Sequence, residues 1–360
     1  MQRLGLVGLA NSGKSSLFNA LTGGHAVVAP HPFSTVETSV GVAPLPDARL
    51  DALARLSRSA KVVPAGVELV DIAGLVAGSA SGEGMGNRFL AGIREVDALV
   101  VVLRAFRDDA VPGVDDPLAA LETLELELIL ADAASLEAQA DRRRKQARLR
   151  KDPALGREAE AMDEAMAVLD HGVPLFRAQL DPEVRSRLRN SFLLTDKPVL
   201  AVVNLGEDQL DAAAQLTEPV AAHLGSAAEV LGVCVQLEAE AAQLAPAERA
   251  ELLAGLGLGE GVVPRVAEGA FRLLGLRTFL TTGEKETRAW IFRAGALAPE
   301  CAGVIHSDLQ RGFIRAEVIH WDELVELGGW QQAKAAGRVR VEGKDYAVRD
   351  GDVLEIRFNV

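Results

Sequence analysis

The chain has 360 residues, of which 49% are hydrophobic and 25% are charged, and its formal net charge is −13. This composition excludes a disordered chain and predicts two or three folded domains, since one domain usually holds about 100 to 200 residues. The acidic balance argues against a broad electrostatic contact with nucleic acid, so we expect no DNA partner and only local contacts with RNA. Cys234 and Cys301 are the two cysteines, which excludes a disulfide framework.

Short apolar runs alternate with helical stretches over the first 118 residues. Residues 4–8, 67–71 and 98–103 are apolar and bounded by turn residues, which predicts strands of a buried parallel sheet. The sequence contains neither an export signal at its start nor an apolar run of about 18 residues. We therefore expect a cytoplasmic protein that does not enter a membrane.

A helical region follows, because strand signals vanish between residue 118 and about residue 189. Leu121, Leu124 and Leu128 keep the helical spacing of three and four. Pro153 interrupts the pattern and predicts a turn between two long antiparallel helices of roughly 30 residues each. We expect this coiled-coil hairpin, at 119–195, to be inserted into the first domain.

Strand signals return after the hairpin, at 198–204 and 230–234, and they complete the first domain as residues 1–118 and 196–276. The pattern changes again beyond residue 276. Short strands are predicted at 279–282, 289–292, 338–341 and 353–358, separated by turns that contain glycine. These strands predict a separate α+β domain at 277–360.

The first strand leads into a phosphate-binding motif. Residues 8–15, with the sequence GLANSGKS, match the P-loop pattern and continue into a helix. Backbone N–H groups of such a loop surround phosphates, and the helix dipole favours their charge. We expect Lys14 to span the β- and γ-phosphates and Ser15 to ligate Mg²⁺. The predicted nucleotide-binding residues of this loop are Ala10, Asn11, Ser12, Gly13, Lys14, Ser15 and Ser16.

A second motif, D-x-x-G, ends the next apolar strand at residues 71–74. We expect Asp71 to hold Mg²⁺ through water, and Gly74 to present its backbone N–H to the γ-phosphate and so take part in catalysis. Thr35 lies between the two motifs. It is a candidate for completing the Mg²⁺ shell as a switch I threonine.

Leu75 stands where many small GTPases carry a glutamine that orients the attacking water. Since an alkyl side chain cannot orient water, hydrolysis must depend on another group. Asn11 is a candidate ligand for a monovalent cation, K⁺, that would act as an arginine finger does. The alternative is that Asn11 makes a local backbone hydrogen bond. The candidate catalytic residues are therefore Lys14, Asn11 and Gly74.

The predicted base-reading element departs from the GTPase form. Residues 204–207 read NLGE where a GTPase ends its strand with Asn-Lys-x-Asp, so Asn204, Leu205 and Glu207 are candidate contacts. In a GTPase the carboxylate accepts hydrogen bonds from guanine N1–H and N2–H₂, and adenine offers no such donor pair. A longer carboxylate weakens the reason to prefer guanine. We therefore expect ATP.

These motifs resemble those of the YchF family, called Obg-like ATPases in eukaryotes. The resemblance rests on DIAGLV at 71–76, GNRFL at 86–90, IREVDA at 93–98 and NLGE at 204–207, and it continues into GEKETRAW at 283–290. It spans essentially the whole chain. It implies an Obg-related P-loop domain with a mainly parallel sheet, an inserted coiled-coil hairpin, a C-terminal β-grasp TGS domain, Mg²⁺, ATP preferred over GTP, and association with ribosomes.

Three positions depart from the family pattern. Ala10 stands where the family usually has proline and Ser12 where it has valine, and both residues are small enough to leave the phosphate cradle intact. Residues 234–236 read CVQ in place of Ser-Ala-Lys. This third change lies in the loop that backs the base.

Positive charge is concentrated at the predicted tip of the hairpin, where RRRK at 142–145 is followed by Arg148, Arg150 and Lys151. Such a cluster in an acidic protein is typical of an RNA or ribosome contact, and the alternative is a solvated helix end. Three functions remain open. They are a slow Mg²⁺-dependent ATPase with weaker GTPase activity that acts as a nucleotide-switched ribosome-associated factor, a true Obg-type GTPase, and a non-catalytic nucleotide-gated ribosome- or RNA-binding module.

Overall fold

The structure is a computed structural model that describes residues 2–23, 27–29, 38–72, 85–108, 110–256, 258–259 and 261–359. It contains two compact units. One comprises Met1–Ala43 and Glu68–Ala270, and the other comprises Pro44–Val67 and Phe271–Val360. Among the helices of these described residues, none combines the length and the apolar character that crossing a bilayer requires.

Strands and helices alternate over most of the chain, and they are numbered in chain order across both units. The strands are β1 (Arg3–Val7), β2 (Val27–Ala29), β3 (Thr38–Pro44), β4 (Val62–Val63), β5 (Gly66–Asp71), β6 (Ala98–Arg104), β7 (Val199–Asn204), β8 (Glu229–Val233), β9 (Leu276–Thr281), β10 (Thr287–Arg293), β11 (Phe313–His320), β12 (Arg340–Glu342) and β13 (Asp352–Phe358). The helices are α1 (Lys14–Thr22), α2 (Ala48–Ser57), α3 (Met85–Arg94), α4 (Pro117–Arg150), α5 (Pro153–Asp170), α6 (Pro182–Leu188), α7 (Ala213–Leu224), α8 (Val235–Ala241), α9 (Pro246–Gly255), α10 (Val262–Leu273), α11 (Ala298–Ile305), α12 (Ser307–Arg311), α13 (Trp321–Leu327) and α14 (Trp330–Ala335).

The first unit is built on a sheet with the strand order β2-β3-β5-β1-β6-β7-β8. The adjacent pairs β5/β1, β1/β6, β6/β7 and β7/β8 are parallel, and β2 pairs antiparallel with β3. Every residue of β6 is buried, as expected for a strand covered on both faces. Strand β1 lies between β5 and β6 in this sheet. Its carboxyl end is therefore the topological switch point, where ligands bind in sheets of this kind.

The predicted hairpin is present, with unequal arms. Helix α4 has 34 residues and α5 has 18, so the prediction of roughly 30 residues for each helix was wrong for the second. Asp152 caps α5, and Pro153 occupies its first turn, next to the turn that the sequence predicted. Alanines on both helices lie in the buried seam, which lets the two backbones approach closely. The chain then turns into the short helix α6, because Pro174 and Pro182 interrupt the helical pattern.

The second unit contains a mixed sheet with the order β12-β11-β13-β9-β10-β4. Strand β4 and helix α2 come from Pro44–Val67, so a segment of the N-terminal half folds with the C-terminal part. Arg49 of α2 donates hydrogen bonds to Asp350 (2.8 Å) and Thr278 (2.7 Å), and Ser59 donates to the Gly283 carbonyl (2.7 Å). The sequence indicated neither this grouping nor strand β11, which lies between β12 and β13.

Candidate nucleotide-binding site

The predicted phosphate loop joins the carboxyl end of β1 to α1. Asn11 (φ 61°) and Gly13 (φ 94°) both have left-handed backbone conformations. The first helical hydrogen bond runs from Leu17 N to Gly13 O (2.9 Å), and no side chain caps the helix. The N–H groups of the first turn therefore have no acceptor within the helix, and they lie at the positive end of its dipole. This arrangement is a ready anion-binding site.

Two glycines let this loop pack directly on its neighbours. A Cβ at Gly8 would lie 2.4 Å from the Val102 carbonyl oxygen, and one at Gly13 would lie 2.2 Å from Asn204 Nδ2. No side chain fits at either position. Ser12 Oγ is buried beneath the loop and has no hydrogen-bond partner among the described residues.

Lys14, Ser15 and Asp71 form the charged part of the site. Lys14 is 8% exposed, and its ammonium donates one long hydrogen bond to the Leu9 carbonyl (3.2 Å). Burial lowers the pKa of Lys14, and the charge of Asp71 opposes this shift. Burial likewise raises the pKa of Asp71, against the hydrogen bond from Ser15 and the charge of Lys14. Each ion is thus poorly solvated, which favours an anionic ligand at Lys14 and a cation at Asp71.

The oxygens at this end of β5 fit the Mg²⁺ expected from the sequence. Ser15 Oγ donates to Asp71 Oδ2 at 2.8 Å. Hydroxyl and carboxylate oxygens are the ligands that Mg²⁺ prefers, and in nucleotide sites it takes one or two carboxylates together with phosphate oxygens and waters. The residues present therefore suit the ion, which would neutralise phosphate charge when bound.

Asn11 uses half of its side-chain amide within the protein. Its Nδ2 donates to the Pro112 carbonyl at 2.9 Å, a contact across 101 residues of sequence rather than a local turn bond. This bond fixes the orientation of the amide. It leaves Oδ1, the only atom of the side chain able to coordinate a cation, for other partners.

If Asn11 Oδ1 helps to bind a monovalent cation, replacing Na⁺ by K⁺ at constant ionic strength should raise turnover of the wild type by roughly tenfold or more, since a positioned cation stabilises developing phosphate charge. Asn11→Ala should lose this difference and retain the slower rate. Phosphate release, measured in both salts, checks the prediction. Equal rates for the wild type in Na⁺ and K⁺ would remove Asn11 from the mechanism.

A cleft of roughly 570 Å³ adjoins the phosphate loop. Gly13 and Ser16 form one end of it. The rest is formed by the loops after β6 and β7 and by α8, through Phe106, Arg107, Asp108, Asn204, Leu205, Gly206, Glu207, Asp208, Val235, Gln236, Ala239, Glu240 and Gln243. The predicted phosphate-binding and base-reading elements therefore meet at one cleft, of the size that small-molecule sites have.

The three predicted base-reading residues have different surroundings. Asn204 is buried, its Nδ2 donates to the Ser12 carbonyl (3.0 Å), and its Oδ1 accepts from Val235 N (3.2 Å). Its amide thus braces the phosphate loop against the start of α8. The Leu205 side chain packs in the core of the unit, and Glu207 is exposed at the cleft wall.

The departure at residues 234–236 lies against this cleft. Cys234 is buried where α8 begins, and burial raises the pKa of its thiol. Gln236 lines the cleft, and its Nε2 donates to Glu240 at 3.3 Å. This wall therefore presents an amide and a carboxylate where the family pattern would place a lysine.

Sequence reasoning missed Arg104, which shapes the remaining wall. It is 3% exposed at the end of β6, its guanidinium stacks on Phe106, and it donates to the carbonyls of Phe106 (3.0 Å) and Val111 (2.9 Å). These contacts hold the loop that carries the Pro112 carbonyl bonded to Asn11. A charged residue at the end of an otherwise apolar strand was the signal that could have revealed it.

Some predicted residues lie outside the part of the chain that the structure describes. They are Thr35, proposed to complete the Mg²⁺ shell, Gly74, proposed to sense the γ-phosphate, and Leu75. The structure brings together the others, because Lys14, Ser15 and Asp71 meet at the carboxyl ends of β1 and β5.

The sheet, the loop and the hairpin define a P-loop GTPase fold, and a family model described as "50S ribosome-binding GTPase" matches residues 3–128. A model of the C-terminal domain of YchF GTPases, described only as a protein of unknown function, matches residues 276–359. The chain is 43% identical over 365 residues to the ribosome-binding ATPase YchF of Bacillus subtilis, covering 99% of each. It therefore belongs to the YchF family.

Further relatives agree over the full length. The ribosome-binding ATPase YchF of Escherichia coli O157:H7 is 41% identical over 363 residues, covering 99% of each chain. The solved structure of the Schizosaccharomyces pombe YchF GTPase superimposes with a TM-score of 0.86 at 29% identity, covering 99% of this chain and 97% of that one. The predicted fold class, a P-loop domain with an inserted hairpin and a C-terminal α+β domain, is thus confirmed.

Proposed function

We propose that this protein is a slow Mg²⁺-dependent ATPase whose nucleotide state controls its association with ribosomes in the cytoplasm. The observation that carries the proposal is the continuity of the cleft. Gly13 and Ser16, at the start of α1, line the same space as Asn204 and Glu207. A nucleoside triphosphate can therefore extend from the loop glycines, with Lys14 at its phosphates, to the base-side wall.

The preference for ATP is supported by the base-side residues. Both polar groups of the Asn204 amide are used within the protein, and the Leu205 side chain lies in the core. Glu207 is exposed, so its carboxylate is not held rigidly toward the donor edge of guanine. The relatives' names differ on this point, since the curated bacterial proteins are called ATPases and the solved structure a GTPase. A true GTPase is therefore the second candidate.

ATP should bind to the nucleotide-free protein about tenfold or more tightly than GTP, because guanine would leave its donor pair without a fixed acceptor. Isothermal titration calorimetry with both nucleotides in the presence of Mg²⁺ measures the ratio. Glu207→Asp restores the carboxylate of the GTPase form and should move the ratio toward GTP. Glu218→Asp, on the exposed face of α7, is the matched control and should leave the ratio unchanged. Equal affinities for ATP and GTP in the wild type would favour the GTPase reading.

Ribosome association is supported by the names of the relatives and by the charge at the hairpin tip. Arg143 pairs with Glu158 of α5 (2.9 Å), and Arg144 pairs with Asp163 of α5 and with Asp141 of α4 itself. Both arginines therefore link α4 to α5. The other cations are exposed and have no acidic partner among the described residues. They are Arg142, Lys145, Arg148, Arg150 and Lys151. These five, the tip cations, are the groups available to RNA phosphates.

Kinetic measurements distinguish the proposed ATPase from a non-catalytic binding module. A nucleotide-gated module without catalysis would bind ATP and release it unchanged. The proposed factor would hydrolyse ATP slowly alone and faster with ribosomes, with weaker activity on GTP. Phosphate release with and without added ribosomes distinguishes them, and the absence of hydrolysis in both conditions would leave only the binding module.

A further inference from the structure

Phe192 is an aromatic residue in an unfavourable environment and conformation. It lies after the 3-10 turn that follows α6, and its side chain is among the most exposed large apolar groups of the described residues, at 69%. Its backbone is left-handed, with φ 52° and ψ 48°. An L-residue with a bulky side chain pays a steric cost there, and glycine or asparagine would be the ordinary choice. Neither burial nor backbone preference explains this phenylalanine.

The segment that presents Phe192 is anchored to α4 by hydrogen bonds. The carbonyl of the preceding Ser191 accepts from Gln139 Nε2 of α4 (3.4 Å). The carboxylate of Asp132, 1% exposed, accepts from Leu194 N (3.0 Å), Thr195 N (2.8 Å) and the Thr195 hydroxyl (2.7 Å). Both anchors are on α4. The ring is thus held out from the hairpin on fixed backbone rather than on a loose loop.

Exposed cations occur near Phe192 along the chain and near its anchor on α4. In the same segment Arg185 pairs with Asp196 and Arg187 with Glu183. Arg189, three residues before the ring, is exposed and has no acidic partner among the described residues. Arg142, one of the tip cations, follows Gln139 by three residues, about 4.5 Å along α4. The Phe192 surface, defined as Phe192, Arg189 and Arg142, therefore combines one aromatic face with two available guanidinium groups.

This combination matches the chemistry of single-stranded nucleic acid. An aromatic face stacks on an unpaired base, and neighbouring arginines neutralise the adjacent phosphates. A duplex keeps its bases stacked on one another and offers no free face. An apolar protein partner would gain nothing from the two unpaired cations.

We propose that Phe192 stacks on an unpaired RNA base while Arg189 and Arg142 contact the flanking phosphates. The inference rests on the proposed ribosome association, and it names unpaired RNA as what the side of the hairpin recognises. Gln139, which anchors the segment of Phe192, lies 11 residues, roughly 16 Å, from the end of α4 at Arg150. One RNA strand could therefore contact both Phe192 and the tip cations.

The test uses a labelled single-stranded RNA of about 12 nucleotides that contains 2-aminopurine, with fluorescence anisotropy for affinity and 2-aminopurine quenching for stacking. Phe192→Ala should weaken binding roughly 10- to 100-fold and abolish the quenching, as loss of one base–aromatic stack does. Phe192→Trp should retain both. Phe358→Ala, at a phenylalanine that is 48% exposed in the second unit, is the matched control and should change neither.

A second variant separates binding from folding. Glycine adopts φ 52° freely, so Phe192→Gly should keep or raise the Tm while losing RNA affinity as the alanine variant does. Unchanged affinity of both variants, equal losses on duplex RNA, or loss of ribosome binding with intact RNA binding would overturn the inference, the last by pointing to a protein partner. If wild type fails to bind ribosomes but keeps Phe192-dependent quenching, the proposed function falls and this contact stands.

Discussion

Replacing Lys14 by methionine should abolish ATP hydrolysis, lowering kcat by at least about 10²-fold, and should weaken triphosphate binding, because the phosphates lose their one lysine contact in the loop. The nucleotide-free variant should nevertheless be more stable than the wild type at neutral pH. Lys14 is nearly buried, and among the described residues its ammonium has only the Leu9 carbonyl as a hydrogen-bond partner, at 3.2 Å. Methionine keeps the length of the side chain and removes the buried charge.

The pH dependence follows from the lowered pKa of Lys14, whose main cause is burial. Between the folded and the unfolded pKa, the unfolded chain binds the proton more strongly than the folded protein does. Lys14 therefore destabilises the nucleotide-free fold below this window, and the penalty disappears as the pH rises through it. The Tm advantage of Lys14→Met should accordingly be largest near neutral pH and should vanish at high pH.

Thermal melts with and without ATP and Mg²⁺, together with phosphate release, measure both effects. ATP should raise the Tm of the wild type more than that of the variant, since only the wild type places a cation at the phosphates. Lys197→Met is a matched control, because Lys197 is also a partly buried lysine, it donates to the Val96 carbonyl (2.5 Å), and burial lowers its pKa as well. Hydrolysis at the wild-type rate by Lys14→Met would place the active loop elsewhere.

Reversing charge at Arg142, Lys145 and Arg148 should weaken binding to ribosomes by orders of magnitude at low salt. Each phosphate contact contributes about 0.7 to 0.9 to the slope of log K against log [salt], so losing three contacts should reduce the slope by roughly 2 to 3. ATP affinity should not change. Lys145 lies 29 residues along α4 from Asp116, its N-terminal cap, roughly 44 Å at 1.5 Å per residue.

The choice of residues matters, because Arg143 and Arg144 bond to acidic side chains of the hairpin itself. Replacing those two arginines by glutamate would place negative charges next to the acidic side chains of α5. The variant would then test the folding of the hairpin rather than its binding to ribosomes. Glutamate at Arg55, Arg58 and Lys285, exposed cations of the second unit, is the matched control for net charge. Co-sedimentation that is unchanged by the tip reversal at physiological salt would make the tip a solvated helix end.

A truncation that removes residues from 276 onward would not isolate the contribution of the C-terminal part. Helix α2 and strand β4 fold with it, through contacts such as Arg49 with Asp350 and Ser59 with Gly283. Their loss of partners would expose core residues such as Leu53, which is fully buried. Point substitutions at Arg311, Arg315 and Lys344, exposed cations of the second unit, are the better test of that surface.

The sequence by itself determined the features that depend on local order. A P-loop requires its glycines, lysine and serine at fixed spacing within one turn between a strand and a helix, so Gly8, Gly13, Lys14 and Ser15 could be read directly. Apolar runs bounded by turn residues located the central strands, and Pro153 located the turn of the hairpin.

Only the tertiary structure decided what depends on contacts between distant residues. Asn204 has the sequence position of a base contact, yet its amide is bonded to Ser12 and Val235, because β7 and the phosphate loop end at the same edge of the sheet. Arg143 and Arg144 look equivalent to Lys145 in a basic run, and the helical period turns the first two toward acids while leaving the third exposed. The membership of residues 44–67 in the second unit follows from pairing across more than 200 residues, which no local pattern encodes.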